Sequence, residues 1–315
     1  MQIFDLKSAI PVFKALDSDI RIEILDLILK RNNSNINDLA KALNLSNAAL
    51  TMHIKKLEEC GLISTMVTNG KHGMQKICSL SDDKILIELS HDVQYDHSYE
   101  VDLNVGYYSN YQVFPTCGLA SSKSLIGEVD DPRFFADPTR IEADIIWFTK
   151  GFVEYRIPNY LKPMQKIKEI QISLELASEA PGYCEYWPSD IYLYFNNIEL
   201  GYWVSPGDFG EKRGIYNPYW WPRWNQHGVL KLLSITEYAT FIDGQKLSNI
   251  KLEDLGLDYK SDFSFKLAVP DKAHNIGGLT IYGNNFGNYN QGIKIRVLYE
   301  NLDNPANRDM QAEGK

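Results

Sequence analysis

The chain has 315 residues, of which 44% are hydrophobic and 23% charged, and its net charge is −9. That length is long for one domain and suited to two, and the composition excludes wholesale disorder. No run approaches the roughly 18 uninterrupted apolar residues of a membrane span, since Ile20–Leu29 is broken by Arg21, Glu23 and Asp26.

The opening residues Met1-Gln2-Ile3-Phe4-Asp5 lack the basic-then-apolar order of a secretory signal, so the expected location is cytoplasmic. Cys60, Cys78, Cys117 and Cys184 lie far apart with no zinc-finger spacing, which predicts reduced thiols, no metal and no cofactor. Charge is unevenly placed: residues 1–90 hold 11 Lys+Arg and 11 Asp+Glu, whereas residues 91–315 hold 21 and 30. Overall acidity therefore says little about whether the first part can meet phosphates. Aromatic residues divide the chain in the same place. Up to Ser90 there are only Phe4 and Phe13, and all six Trp and all nineteen Tyr follow.

In chain order, the first part reads as helices. Ile20, Ile24, Leu27 and Ile28 fall at helical spacing, as do Leu39, Ala42 and Leu43, and then Leu50, Ile54 and Leu57. A short helix over Asn37–Leu43 is followed by a break at Asn44-Leu45. Ser46 stands where an N-cap belongs, and a second helix is predicted from Asn47 to about Cys60, with Gly61 as its left-handed stop. Helix, short turn, helix is the arrangement that sets a second helix in a DNA major groove.

At about 100° per residue, Ile54 and Leu57 fall within roughly 40° of Leu50 and form the buried stripe. The opposite face carries Ala48, Thr51, Met52 and Lys55, small, polar or basic groups that can approach base edges. His53 lies at the edge of the stripe and is read as packed. Ser46 and Asn47 sit at the helix N-terminus, where free amides favour a phosphate. Downstream, the strand-like runs Ile63–Val67 and Gln75–Leu80 flank an Asn69-Gly70 hairpin signal. Lys71 and His72 at its tip, with Lys76 on the returning strand, make a basic wing.

These residues resemble the ArsR type of winged helix-turn-helix regulators. The resemblance runs through Phe13-Lys14-Ala15-Leu16 to Ile24-Leu25, Asp38-Leu39-Ala40, Leu45-Ser46-Asn47-Ala48 to Lys56-Leu57, and Cys60-Gly61-Leu62-Ile63. It covers about the first quarter of the chain. It implies a homodimer on double-stranded operator DNA that represses transcription until an effector arrives. Metal-sensing members carry paired cysteines on the first helix of the reading unit. Ile36–Leu43 contains none, so metal sensing there has no support.

A polar connector at 90–98 follows, and His91, Asp92, Asp96 and His97 fit no helical face that would hold a metal. Strand-like runs then succeed one another: Glu100–Val105, Phe152–Ile157, Glu169–Leu176, Asp190–Phe195, Phe263–Val269, Leu279–Tyr282 and Ile293–Tyr299. Bounded by Gly, Pro, Asn and Asp, they predict an antiparallel sandwich. The fold class expected is α+β and multidomain: a winged helix-turn-helix over 1–90, a jelly-roll-like β-sandwich over 97–300 and a polar tail over 301–315.

Tyr216, Tyr219, Trp220, Trp221 and Trp224 lie within nine residues interrupted by Pro218 and Pro222, which suits neither helix nor regular strand. With Trp187, Asp208, Asn217 and Arg223 they could form a site for a carbohydrate-like effector, rings stacking on C–H faces and polar groups taking hydroxyls. Two other roles suit the same residues: a plug at one end of the sandwich, or a dimer seam. The Asp190–Pro206 region is faintly similar to galactose-binding jelly rolls. No nucleophile elbow or Ser-His-Asp order is present, so no catalytic residue is assigned and the chain is read as a non-enzyme. The alternative is a carbohydrate-active or lyase-type enzyme fused to a reader domain.

Overall fold

The computed structural model describes residues 2–31, 34–70, 73–81, 85–88 and 97–302. They belong to two compact units, Met1–Val93 and Gln94–Lys315, so the division falls inside the connector expected at 90–98.

The first unit contains β1 (Gln2–Asp5), α1 (Ile10–Leu16), α2 (Asp19–Arg31), β2 (Ser34–Asn35), α3 (Ile36–Ala42), α4 (Asn47–Glu59), β3 (Ile63–Gly70), β4 (Gly73–Leu80) and β5 (Ile85–Glu88). Its core takes one stripe from each long helix: Ile24 and Ile28 from α2, and Leu50, Ile54 and Leu57 from α4, closed by Leu39, Ile63 and Cys78. Burial pushes the Cys78 thiol up to about 11, so it packs as a small apolar group. The corner between α1 and α2 is held by Arg21, which is buried and donates from Nη2 to the carbonyls of Lys14 at 2.9 Å and Asp17 at 3.2 Å. Its Nε donates to the carbonyl of Ala15, so the guanidinium satisfies carbonyls that α1 leaves unpaired at its end. A parallel pair, β1 with β5, was not anticipated from the sequence.

The second unit is an antiparallel sandwich. Its strands are β6 (His97–Leu103), β7 (Tyr108–Ala120), β8 (Ile145–Ile157), β9 (Gln165–Ala177), β10 (Ser189–Phe195), β11 (Ile198–Ser205) and β12 (Val229–Thr236). They continue with β13 (Thr240–Ile242), β14 (Gln245–Ser248), β15 (Phe263–Val269), β16 (Leu279–Tyr282) and β17 (Ile293–Asn301). One layer runs β11-β10-β15-β8 with β7 on the far edge of β8; the other runs β6-β17-β9-β12-β13-β14. The short strand β16 pairs with β8 on one side and β9 on the other, joining the layers.

Period-two burial fills the space between them: Val153 and Tyr155 on β8, Ile170, Ile172 and Leu174 on β9, Phe265 and Leu267 on β15, and Ile293 and Ile295 on β17. The Asn196-Asn197 turn between β10 and β11 has φ of 46° and 64°, the left-handed pair of a tight hairpin. Every expected strand is present, several longer than read, although β6 ends at Leu103 and Val105 opens a 3-10 turn. Strands β7, β11 and β12–β14 are additional.

Candidate nucleic-acid interface and the aromatic end of the second unit

In the first unit the reading helix begins as its sequence dictates. The Ser46 hydroxyl accepts from the Ala49 amide at 3.2 Å, and Gly61 takes φ +78° just beyond the helix. Helix α3 is capped in the same way, with Asn35 Oδ1 accepting from the Asp38 amide at 2.8 Å. Leu50, Ile54 and Leu57 are buried, which leaves Ala48, Thr51, Met52 and Lys55 exposed on the opposite side, Met52 to 62%. The Thr51 hydroxyl donates to the Asn47 carbonyl at 2.7 Å and keeps its lone pairs outward. Asn47 spends an amide hydrogen on Asn37 Oδ1 at 3.0 Å, tying α4 to α3. Lys55 and Glu59 lie 3.7 Å apart, both well exposed, a pair too solvated to fix the ammonium. His53 is half-buried, and burial followed by the charges of Arg21 and Lys56 holds its pKa below the usual value, so it stays neutral.

The wing pairs from Ile63↔Leu80 out to Gly70↔Gly73, further than the sequence reading placed its strands. Lys71 and His72, expected at its tip, lie outside the described residues. Lys76, read as part of the basic wing, lies 3.3 Å from Glu58 of α4. The same carboxylate accepts from the Thr65 hydroxyl of β3, so Glu58 braces the helix against both wing strands. Sequence inspection missed this because Glu58 and Lys76 are eighteen residues apart.

The aromatic cluster of the second unit sits where β8 begins and β9 ends. Trp221, only 2% exposed, packs with Trp147, Ala120, Ile145, Ala177, Tyr282 and Phe286 in a small core of its own. Its ring meets Trp147, Trp220, Trp224 and Phe286 edge to face at centroid distances of 5.7, 5.6, 5.7 and 4.9 Å. Trp147 gains room because residue 118 is glycine; a Cβ there would come within 2.2 Å of the indole. Two of the three loop indoles are tied to the chain, Trp220 Nε1 donating to the Ser122 carbonyl at 2.8 Å and Trp221 Nε1 to that of Asn225 at 3.3 Å.

Two of the three polar residues expected beside these rings are buried. Asn217 is buried, donating to the Gln226 carbonyl at 2.8 Å and accepting from the Gly287 amide at 2.7 Å. Asp208 is fully buried, and its Oδ2 accepts from the Ala180 amide at 3.1 Å. Trp221, Asn217 and Asp208 are therefore built into the fold, and a ligand could touch them only by unpacking it. Trp187, Tyr216, Tyr219 and Arg223 are exposed, Tyr219 to 95%, and Trp220 and Trp224 are partly so.

Beneath the cluster lies a buried carboxylate that the sequence reading did not single out. Glu179 accepts from Thr116 Oγ1 at 2.9 Å, from Thr280 Oγ1 at 3.4 Å and from Asn225 Nδ2. Burial, then the nearby charge of Asp208, pushes its pKa up to about 8, while burial pushes Asp208 up to about 7. Among the described residues Asp208 Oδ1 and the Tyr282 hydroxyl have no hydrogen-bond partner, and no group of three or more His, Cys, Asp or Glu side chains is placed to hold a metal. No helix among them is long and apolar enough to cross a membrane.

The arrangement defines a class: a winged helix-turn-helix unit followed by a large antiparallel β unit. Residues 18–65 match the family of bacterial regulatory proteins described as the arsR family, and the first unit is an ArsR-type winged helix-turn-helix. An uncharacterized protein of Methanocaldococcus jannaschii is 40% identical over 52 residues, which are 16% of this chain and 56% of that one. The chain thus spans about half the length of this curated relative. Reduced HlyU from Vibrio cholerae is 26% identical, covering 24% of this chain and 76% of its own with a TM-score of 0.22. The CBM36-1 domain of a multidomain xylanase from the hindgut metagenome of Trinervitermes trinervoides is 7% identical, covering 64% of this chain and 96% of its own, with a TM-score of 0.27.

Proposed function

We propose that the chain is a DNA-binding transcriptional regulator, a repressor, that reads its operator as a homodimer and is controlled by a small molecule bound in the second unit. The observation that carries this reading is the exposed face of α4. Ala48, Thr51, Met52 and Lys55 lie opposite the buried Leu50, Ile54 and Leu57, on a helix capped at Ser46 and braced against a β-hairpin. In that role Thr51 and Met52 meet base edges, Lys55 meets guanine or phosphate, and the amides after Ser46 receive a phosphate. Lys71 and His72 complete the contact along the backbone. A charge-balanced first unit draws little from phosphates by itself, so two copies on half-sites about one helical turn apart supply the affinity.

A carbohydrate effector at the aromatic loops has weaker support than the regulator itself, because Trp221, Asn217 and Asp208 are engaged within the fold. The regulator reading is tested by mobility shift on the DNA upstream of the protein's own gene. Binding is expected to weaken about tenfold or more for Thr51→Ala and for Lys55→Ala. Unchanged binding in both variants would remove α4 as the reading helix.

A further inference from the structure

Helix α4 has thirteen residues, and the chemistry of its exposed face is narrow. It holds no arginine and no glutamine, the side chains that with asparagine make two-pronged matches to guanine and adenine. Its one asparagine, Asn47, has its amide nitrogen turned to Asn37 Oδ1 of α3 at 3.0 Å. The Thr51 hydroxyl has one proton, and it is given to the Asn47 carbonyl at 2.7 Å. Thr51 therefore has none to offer N7 or O6 of guanine. His53 is half-buried, which leaves Lys55 as the donor on the exposed face, shared with Glu59 at 3.7 Å.

What this face does present is apolar. Ala48, Thr51 and Met52 are exposed at spacings i, i+3 and i+4, neighbours on one side of the helix. They offer a Cβ, a Cγ2 methyl and a thioether chain, and Met52 is 62% exposed. An unbranched, polarizable side chain held out in water gains little in the free protein, but it can shape itself to an apolar surface brought against it. In the DNA major groove one group is apolar, the C5-methyl of thymine. From Ala48 to Met52 the helix axis advances about 6 Å, close to two base-pair steps of about 3.4 Å.

We infer, resting on the regulator reading above, that α4 selects its operator by thymine methyl groups, and that each half-site carries thymines at two adjacent base pairs beneath Ala48, Thr51 and Met52. Closing those methyls against the thioether of Met52 and the Cγ2 of Thr51 removes apolar surface of both partners from water. The Thr51 oxygen, an acceptor once its proton is spent, suits the N6 amino group of the adenine paired with such a thymine. Lys55, about one turn further along, supplies attraction to a phosphate or a guanine outside that pair of steps.

Mobility shift of the full chain on the DNA upstream of its own gene, copied once with thymine and once with uracil throughout, tests this. Uracil lacks the C5-methyl and keeps every hydrogen-bonding group of thymine. The uracil copy is expected to bind at least about tenfold more weakly. Thr51→Ser keeps the hydroxyl and its bond to Asn47. Combined with Met52→Ala, it is expected to bind the thymine copy more weakly and to shrink the difference between the copies to about threefold or less. Equal binding of the two copies by the parent would overturn the inference, and so would a tenfold difference that persists in the double variant. A parent chain that shifts neither copy removes the regulator reading itself, and the methyl contact with it.

Discussion

Glu58 and Lys76 form an ion pair at 3.3 Å that joins the last turn of the reading helix to the returning strand of the wing. The Thr65 hydroxyl bond and the Lys76 charge together hold the Glu58 carboxyl below the usual range, so it is ionised at neutral pH. A lysine held in this way gives little to a phosphate. Glu58→Gln keeps the Thr65 bond and frees the ammonium. The variant is expected to bind operator DNA more tightly, with its salt dependence steepened by about 0.9 in log–log slope. Mobility shifts across a salt series check this, and an unchanged slope would show that Lys76 lies away from the backbone.

The stripe of α4 fixes which face can be read, and its loss should be costly. Leu50→Ala removes a side chain with no exposed surface and is expected to destabilise the first unit by about 2–5 kcal/mol. Ser46→Ala should cost about 1 kcal/mol through the lost cap. All four α-helices of the described residues lie in the first unit, so the helical far-UV circular dichroism signal during urea unfolding follows it selectively.

The second unit should lose stability as pH rises. Unfolded, Glu179 and Asp208 ionise near pH 4. Folded, they hold their protons to about 8 and about 7. Between those limits the native state binds more protons than the unfolded one. The stabilisation is therefore complete below about pH 4 and is lost as pH climbs through 7 and 8, at up to about 1.4 kcal/mol per pH unit for each group. Glu179→Gln, an uncharged isostere to which the Thr116 hydroxyl can turn as acceptor, should flatten this slope. All six tryptophans lie in the second unit, so tryptophan fluorescence in urea at pH 5 and pH 8 reports it. Equal slopes in the variant and the parent would dismiss Glu179 as the source.

Trp221→Ala should cost about 3–5 kcal/mol in the same fluorescence assay, because the ring touches four other aromatic rings with almost no exposure. Tyr219→Ala, at a site 95% exposed, should cost less than about 0.5 kcal/mol.

Much of the first unit was legible in the sequence because its signals are local. Ser46, Gly61 and the Leu50-Ile54-Leu57 spacing each act within a turn or two, and the structure holds all three as read. The Glu58–Lys76 pair and the Arg21 contacts depend on tertiary placement, which no local pattern records. In the second unit, β15 and β16 were read to the residue because continuous apolar or alternating runs end at Pro, Gly or Asp. Strand β7 escaped because Pro115 and Gly118 interrupt it, and β13 escaped because it is three residues long. The aromatic loop was ambiguous for a physical reason: stacking on a sugar and plugging a sandwich call for the same rings, and only burial tells Trp221 from Tyr219.

Arg21 separates the two units in their response to acidity. A guanidinium keeps its proton under all conditions in which a protein stays folded, so the fastening it makes with Lys14, Ala15 and Asp17 does not loosen as the medium turns basic or acidic. The same fixed charge helps keep the neighbouring His53 neutral. Glu179 in the second unit gives up its proton near pH 8, a response that this guanidinium contact does not share.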